Sequence, residues 1–131
     1  MKRKAHILVV DDEPNVLVTY RLILQQQGYE VSAALSSDEA RAALSEEEID
    51  LLLCDLSLEK QKSGFDVINF AKQKDPRLPT VLLTGYATPE ANDRAHQLGI
   101  PVLFKPIDIK ELLDTISGLL KENYEQHEAA G

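Results

Sequence analysis

Short apolar runs and longer amphipathic stretches alternate along this chain. The runs are Ile7-Leu8-Val9-Val10, Leu51-Leu52-Leu53-Cys54, Val81-Leu82-Leu83 and Val102-Leu103-Phe104. Continuous leucine and β-branched runs of this length suit strands covered on both faces by helices. Glu30 to Ala34 is less apolar and alternates, which predicts an edge strand. Pro101, which has no N–H to give a neighbour, suits an edge position as well.

The stretches between the runs have helical period. In the last, Ile109, Leu112, Leu113, Ile116, Leu119 and Leu120 recur at spacings of three and four. Asp108 stands where its N-cap belongs, with Glu111 three residues on, a capping-box arrangement. The first stretch repeats Val16, Tyr20 and Ile23 and stops at Gly28, a C-cap signal. Another runs from Thr88-Pro89 to Leu98 and ends at Gly99, with proline at the permitted first turn. Ser37 to Leu44 and Phe65 to Lys74 complete the set. Strands alternating with helices in this way predict an α/β domain with a five-stranded parallel sheet, doubly wound in the order 2-1-3-4-5, with helices on both faces. The domain is expected over residues 1–122, with 123–131 a polar tail, or the start of a linker, that frays.

In a parallel sheet all strands end at one edge, and ligands bind in the crevice beyond it. Here each buried run leads straight into a chemically capable residue: Val10 into Asp11-Asp12, Cys54 into Asp55, Leu83 into Thr84, and Phe104 into Lys105. Singly, each has a plain explanation, since an Asp after a strand is often a helix cap and Thr84-Gly85 is a common turn. The fold nevertheless gathers three carboxylates, a hydroxyl and an ammonium that lie far apart in sequence. Clustered carboxylates call for a cation, and hard oxygen ligands in a wet cleft favour Mg²⁺. A cation and a lysine beside an Asp suit phosphoryl transfer to that carboxylate.

Composition narrows the class further. The chain of 131 residues is 44% hydrophobic and 27% charged, as expected of one soluble globular domain. A net charge of −8, with Lys2-Arg3-Lys4 the only basic cluster, argues against nucleic-acid binding through this domain. Apolar runs are too short to span a bilayer or to form a signal-peptide core. With a single cysteine, this predicts a cytoplasmic protein. Cys54, inside a strand run, reads as buried and inert. His6, His96 and His127 lack metal-ligand spacing, and Glu46-Glu-Glu48 reads as a solvated helix end.

The ordered set Ile7-Leu-Val-Val-Asp-Asp-Glu-Pro14, Asp50-Leu-Leu-Leu-Cys-Asp-Leu56, Val81-Leu-Leu-Thr-Gly85 and Leu103-Phe-Lys-Pro106 resembles the receiver domain of two-component response regulators, a flavodoxin-like fold. The resemblance covers essentially the whole chain. It implies that Asp55 accepts a phosphoryl group from a sensor histidine kinase or a histidine phosphotransfer protein. Asp12, Asp55 and the Ser57 carbonyl would ligate Mg²⁺, with Asp11 acting through a bound water. Thr84, Lys105 and the backbone N–H groups of Ser57 and Gly85 would hold the phosphoryl oxygens. It further implies a cis Lys105-Pro106 bond, an unidentified downstream protein or output domain, and a phosphorylation-dependent homodimer as one possible consequence. The start at Met1 favours an N-terminal or free-standing receiver over an internal one.

Two departures stand out. The loop Leu58-Glu-Lys-Gln-Lys-Ser-Gly64 is one residue longer than the family's, with Glu59 in place of a proline. Val102 occupies the place, three before the lysine, where many receivers carry Tyr or Phe; Phe104, on the same strand face, is expected to pack in the core. Tyr86 is a candidate shield for the acyl phosphate. Among rivals, a dehalogenase-type phosphatase would need an acid two residues after Asp55, where Ser57 stands. A flavin-phosphate loop is opposed by Asp11-Asp12-Glu13, and no Gly-rich lysine loop exists. The remaining alternative is a receiver-like interaction scaffold that is not regulated by phosphorylation.

Overall fold

The computed structural model describes residues 4–56, 61–85 and 88–130, with side chains for the same residues except 61–63 and 123–130. Strands β1 (His6–Val10), β2 (Glu30–Ala34), β3 (Leu51–Asp55), β4 (Thr80–Thr84) and β5 (Val102–Phe104) form one sheet. They alternate with α1 (Pro14–Gln26), α2 (Ser37–Glu46), α3 (Gln61–Lys74), α4 (Pro89–Gln97) and α5 (Ile109–Ala130). All pairings are parallel and the strand order is β2-β1-β3-β4-β5. The expected architecture is therefore the observed one, with the predicted edge strand β2 and the Pro101-led β5 at the two margins.

Period two divides the strand residues between two cores. Leu8, Val10, Leu52, Cys54 and Leu82 point to one face, where they meet Ala40, Leu44, Val67, Ile68, Ala91 and Ala95 of α2, α3 and α4. Ile7, Val9, Leu51, Leu53, Val81 and Leu83 point to the other, against Leu17, Tyr20 and Leu24 of α1 and Leu112 and Ile116 of α5. Both faces of β3 are thus sealed, which explains its unbroken leucine run. Each such leucine contributes about 1.5–3 kcal/mol by leaving water.

Local signals set most helix ends. Thr88 caps α4 by accepting from Ala91 N–H at 3.1 Å, and Asp108 caps α5 by accepting from Glu111 N–H at 3.1 Å. Gly28 (φ 92°) and Gly99 (φ 69°) stop α1 and α4 in the left-handed region, where Tyr29 N–H returns to Leu24 and Ile100 N–H to Ala95.

Four local expectations are corrected. α3 begins at Gln61, so the last part of the segment read as a loop to Gly64 is helix. α5 continues to Ala130, because Glu, Gln and Ala after Asn123 favour helix and no Gly or Pro interrupts them. The buried stripe of α1 is Leu17, Tyr20 and Leu24, with Val16 and Ile23 only half-buried at its margins. Phe104 is 53% exposed rather than packed. It ends a three-residue edge strand, beyond the small alanines that α4 lays on that face.

Candidate functional site

The carboxyl ends of β1, β3, β4 and β5 converge. Register aligns Val10 with Cys54, Asp55 with Leu83, and Thr84 with Phe104, so the residues that follow each run emerge side by side. Asp11, Asp12 and Asp55 each present a carboxylate oxygen within 4.8 Å of the others. Asp11 and Asp55 are 1% and 2% exposed, whereas Asp12 faces solvent. Lys105 Nζ donates to Asp55 Oδ2 at 2.9 Å and lies 3.7 Å from Asp11 Oδ2. Its approach is fixed by the backbone: Lys105 N–H donates to the Thr84 carbonyl at 2.8 Å, and the Lys105-Pro106 bond is cis, as expected.

Electrostatics follow from the crowding. Burial raises the Asp11 pKa to about 6; the Glu13 N–H donated to its Oδ1 at 3.0 Å pulls it down, and Asp55 pushes it further up. Desolvation works to lower the Lys105 pKa, but the hydrogen bond and charge of Asp55, with Asp11, outweigh it and hold the ammonium above its ordinary range. Among the described residues, three carboxylates face one ammonium. Asp11 Oδ2 is buried and accepts no hydrogen bond among the described residues. An oxygen in that condition, flanked by two further carboxylates, fits a hard divalent cation bound through oxygen.

Of the remaining sequence candidates, Thr84 is buried at the tip of β4, and Gly85 follows it, exposed. Ser57, Glu59 and Tyr86 lie outside the described residues. Burial raises the Cys54 thiol pKa far above neutrality, reinforced by Asp55 and Asp11, so it stays an inert core group as read. In the sequence Tyr20 stands out only as a helix-face residue. Burial raises the pKa of its phenol, which also lies within electrostatic reach of Lys105, Asp11 and Asp55. Its only signal was its place on the buried stripe of α1.

A second polar group occupies the opposite, amino-terminal edge. Ser32 Oγ donates to Glu47 Oε1 at 2.6 Å and accepts from His6 Nε2 at 2.7 Å. Asp50 takes the His6 N–H at 2.7 Å and returns its own N–H to the His6 carbonyl at 2.8 Å. Glu47 is therefore a partner in this group, not merely part of a solvated helix end.

Among the described residues no helix is long and apolar enough to cross a membrane. The family model for the response regulator receiver domain matches residues 7–117. The transcriptional regulatory protein GlrR of Escherichia coli (strain K12) is 30% identical over 122 residues, 92% of this chain and 27% of that protein. The response regulator protein PilR of Pseudomonas aeruginosa is 31% identical over 124 residues, 93% of this chain and 28% of that one. The chain thus spans about a quarter of the length of these relatives. A crystal structure of a receiver domain protein from Methanospirillum hungatei JF-1 superposes with a TM-score of 0.87 at 29% identity, covering 94% of this chain and 98% of the other.

Proposed function

Since the chain belongs to the response regulator receiver domain family, we propose that it is a signalling switch in which Asp55 accepts a phosphoryl group from the phosphohistidine of a sensor kinase or phosphotransfer protein. The observation that carries this reading is the position of Asp55: a buried carboxylate at the tip of β3, 2.9 Å from an ammonium and within 4.8 Å of two further carboxylates.

The transfer is a substitution at phosphorus. An Asp55 oxygen forms the new O–P bond while the N–P bond of the phosphohistidine breaks. The imidazole leaves with that electron pair and picks up a proton from water. Lys105 supplies a fixed positive charge to the transferring group. The Thr84 hydroxyl and the backbone N–H groups of Gly85 and Ser57 donate to phosphoryl oxygens. Asp11, Asp12, Asp55 and the Ser57 carbonyl would hold Mg²⁺. Bound there, the ion would supply positive charge to the phosphoryl oxygens and to the carboxylate cluster.

The module acts by population shift rather than by turnover, its own phosphorylation and dephosphorylation being the extent of its catalysis. It works in the cytoplasm, and its downstream partner is a protein surface or an attached output domain. Incubation with Mg²⁺ and a small phosphodonor, followed by intact mass measurement, tests the reading. The wild type is expected to gain one phosphoryl mass and Asp55→Asn none. A wild type that gains nothing from a phosphodonor or from a kinase is instead a phosphorylation-independent scaffold.

A further inference from the structure

α4 is attached to the body by little apolar surface. Its buried side chains are Ala91 and Ala95, resting on a cluster that includes Phe65, Ile100 and the half-buried Val102. To these Arg94 adds a stacked contact, its guanidinium carbon 4.5 Å from the centroid of the Phe65 ring. Phe65 is itself almost fully buried and follows Gly64 in the early part of α3. Gly64 lies against the end of β3 so closely that a Cβ there would stand 3.1 Å from Leu56 Cα and 3.2 Å from the Asp55 carbonyl oxygen. The Gly64 carbonyl is also 3.8 Å from Cys54 Sγ. An unbroken line of packed atoms therefore runs from the backbone of Asp55 and Leu56 through Gly64 and Phe65 to Arg94.

We propose that the Arg94–Phe65 stack couples the state of Asp55 to α4. This rests on the phosphorylation reading above. The Gly64 backbone lies too near the Asp55 carbonyl to admit a Cβ unless its neighbours give, and it touches Cys54, so a shift of the strand end displaces Gly64 and Phe65 together. Arg94 then carries the displacement into a helix that alanines alone hold weakly. On the same face Val102 offers an aliphatic side chain, which packs but provides no ring for a cation to follow. The planar guanidinium suits this role better than a lysine ammonium, because it stacks on the ring as well as being attracted to it.

Hydrogen exchange of the α4 amides tests the coupling in wild type, Arg94→Gln, Phe65→Leu and the double variant. Each is measured with and without Mg²⁺ and a small phosphodonor, and the same samples are weighed intact. Arg94 is exposed, so its substitution leaves the core untouched; Leu at 65 keeps apolar volume while removing the ring. Phosphorylation is expected to change α4 exchange several-fold in wild type. In each single variant the change should fall to less than about half, and the double variant should lose no more than the singles, as two ends of one contact must. Arg94→Lys should restore only part of the response. A full-sized response in Arg94→Gln, or none in phosphorylated wild type, overturns the coupling alone. A wild type whose mass shows no phosphoryl group fails the underlying switch reading instead, and the coupling with it.

Discussion

At the amino-terminal end of β1, His6, Ser32, Glu47 and Asp50 meet one another's donors and acceptors. At the carboxyl end, among the described residues, Asp11, Asp12 and Asp55 gather beside the ammonium of Lys105, and a buried Asp11 oxygen accepts no hydrogen bond. The two groups share a strand and hold similar residue types. What separates them is spare capacity. The first is closed: its hydroxyl gives to a carboxylate and takes from an imidazole. The second leaves a buried Asp11 oxygen without a hydrogen bond among the described residues. A polar cluster that satisfies itself stabilises, whereas one left unsatisfied costs stability and is ready to take a ligand.

Removing the lysine attacks the unsatisfied end most directly. Lys105→Met is expected to slow phosphorylation by a small phosphodonor with Mg²⁺ by about a hundredfold, the loss of one pre-positioned charge. A change smaller than about threefold would mean that Lys105 serves Asp55 only as a structural counter-ion.

The cost of burying the Asp11 carboxylate should appear as pH dependence. The Asp11 pKa is about 6 in the folded chain against an ordinary 3.8, so the folded state binds the proton more tightly than the unfolded one. That stabilisation is complete below pH about 4 and is lost as the pH rises through about 6. Without divalent ions, stability should therefore fall over this window by about 2–3 kcal/mol. Urea unfolding at a series of pH values measures it. Asp11→Asn, which keeps the acceptor for the Glu13 N–H, should flatten the curve, and Mg²⁺ should offset the decline in the wild type. A wild-type curve already flat without metal would contradict the view that Asp11 is charged at a cost in its buried place.

The two ends differ in how plainly the sequence announces them. Strand runs that lead straight into Asp, Thr and Lys announce the carboxyl edge, because a parallel sheet forces its strand ends together however distant they are in the chain. The amino edge gives no such notice. Ser32 and His6 sit in unremarkable strand positions, and Glu47 is one of three adjacent glutamates. Only the packing of α2 against β2 selects which of them is used. The helix limits behave likewise: Gly28, Gly99, Thr88 and Asp108 mark theirs by local chemistry, whereas the start of α3 at Gln61 follows a lysine, which is not a capping residue type. Phe104 misled for a related reason. Apolar character predicts burial only where a neighbouring element supplies a covering surface.

Opening the satisfied end should touch stability alone. Ser32→Ala removes the hydroxyl shared by His6 and Glu47, and the expected loss is about 1 kcal/mol, limited because Glu47 can turn to water. The phosphorylation rate of this variant should match the wild type, since His6 lies at the far end of β1 from Asp11. A slowed reaction would show that the two ends of β1 are coupled.

The smallest effect is expected at β5, where burial switches between adjacent residues: Leu103 is 7% exposed and Phe104 is 53% exposed. Replacing Phe104 with Ser removes a large apolar side chain, yet most of that surface already meets water, so little transfer free energy is at stake. The expected change is within about 0.5 kcal/mol, against about 2–5 kcal/mol for Leu103→Ala on the buried face. Denaturant midpoints for the two variants compare them directly. If Phe104→Ser costs as much as Leu103→Ala, the ring is covered in solution, and the β5 edge beside Thr84 is closed rather than open to a partner.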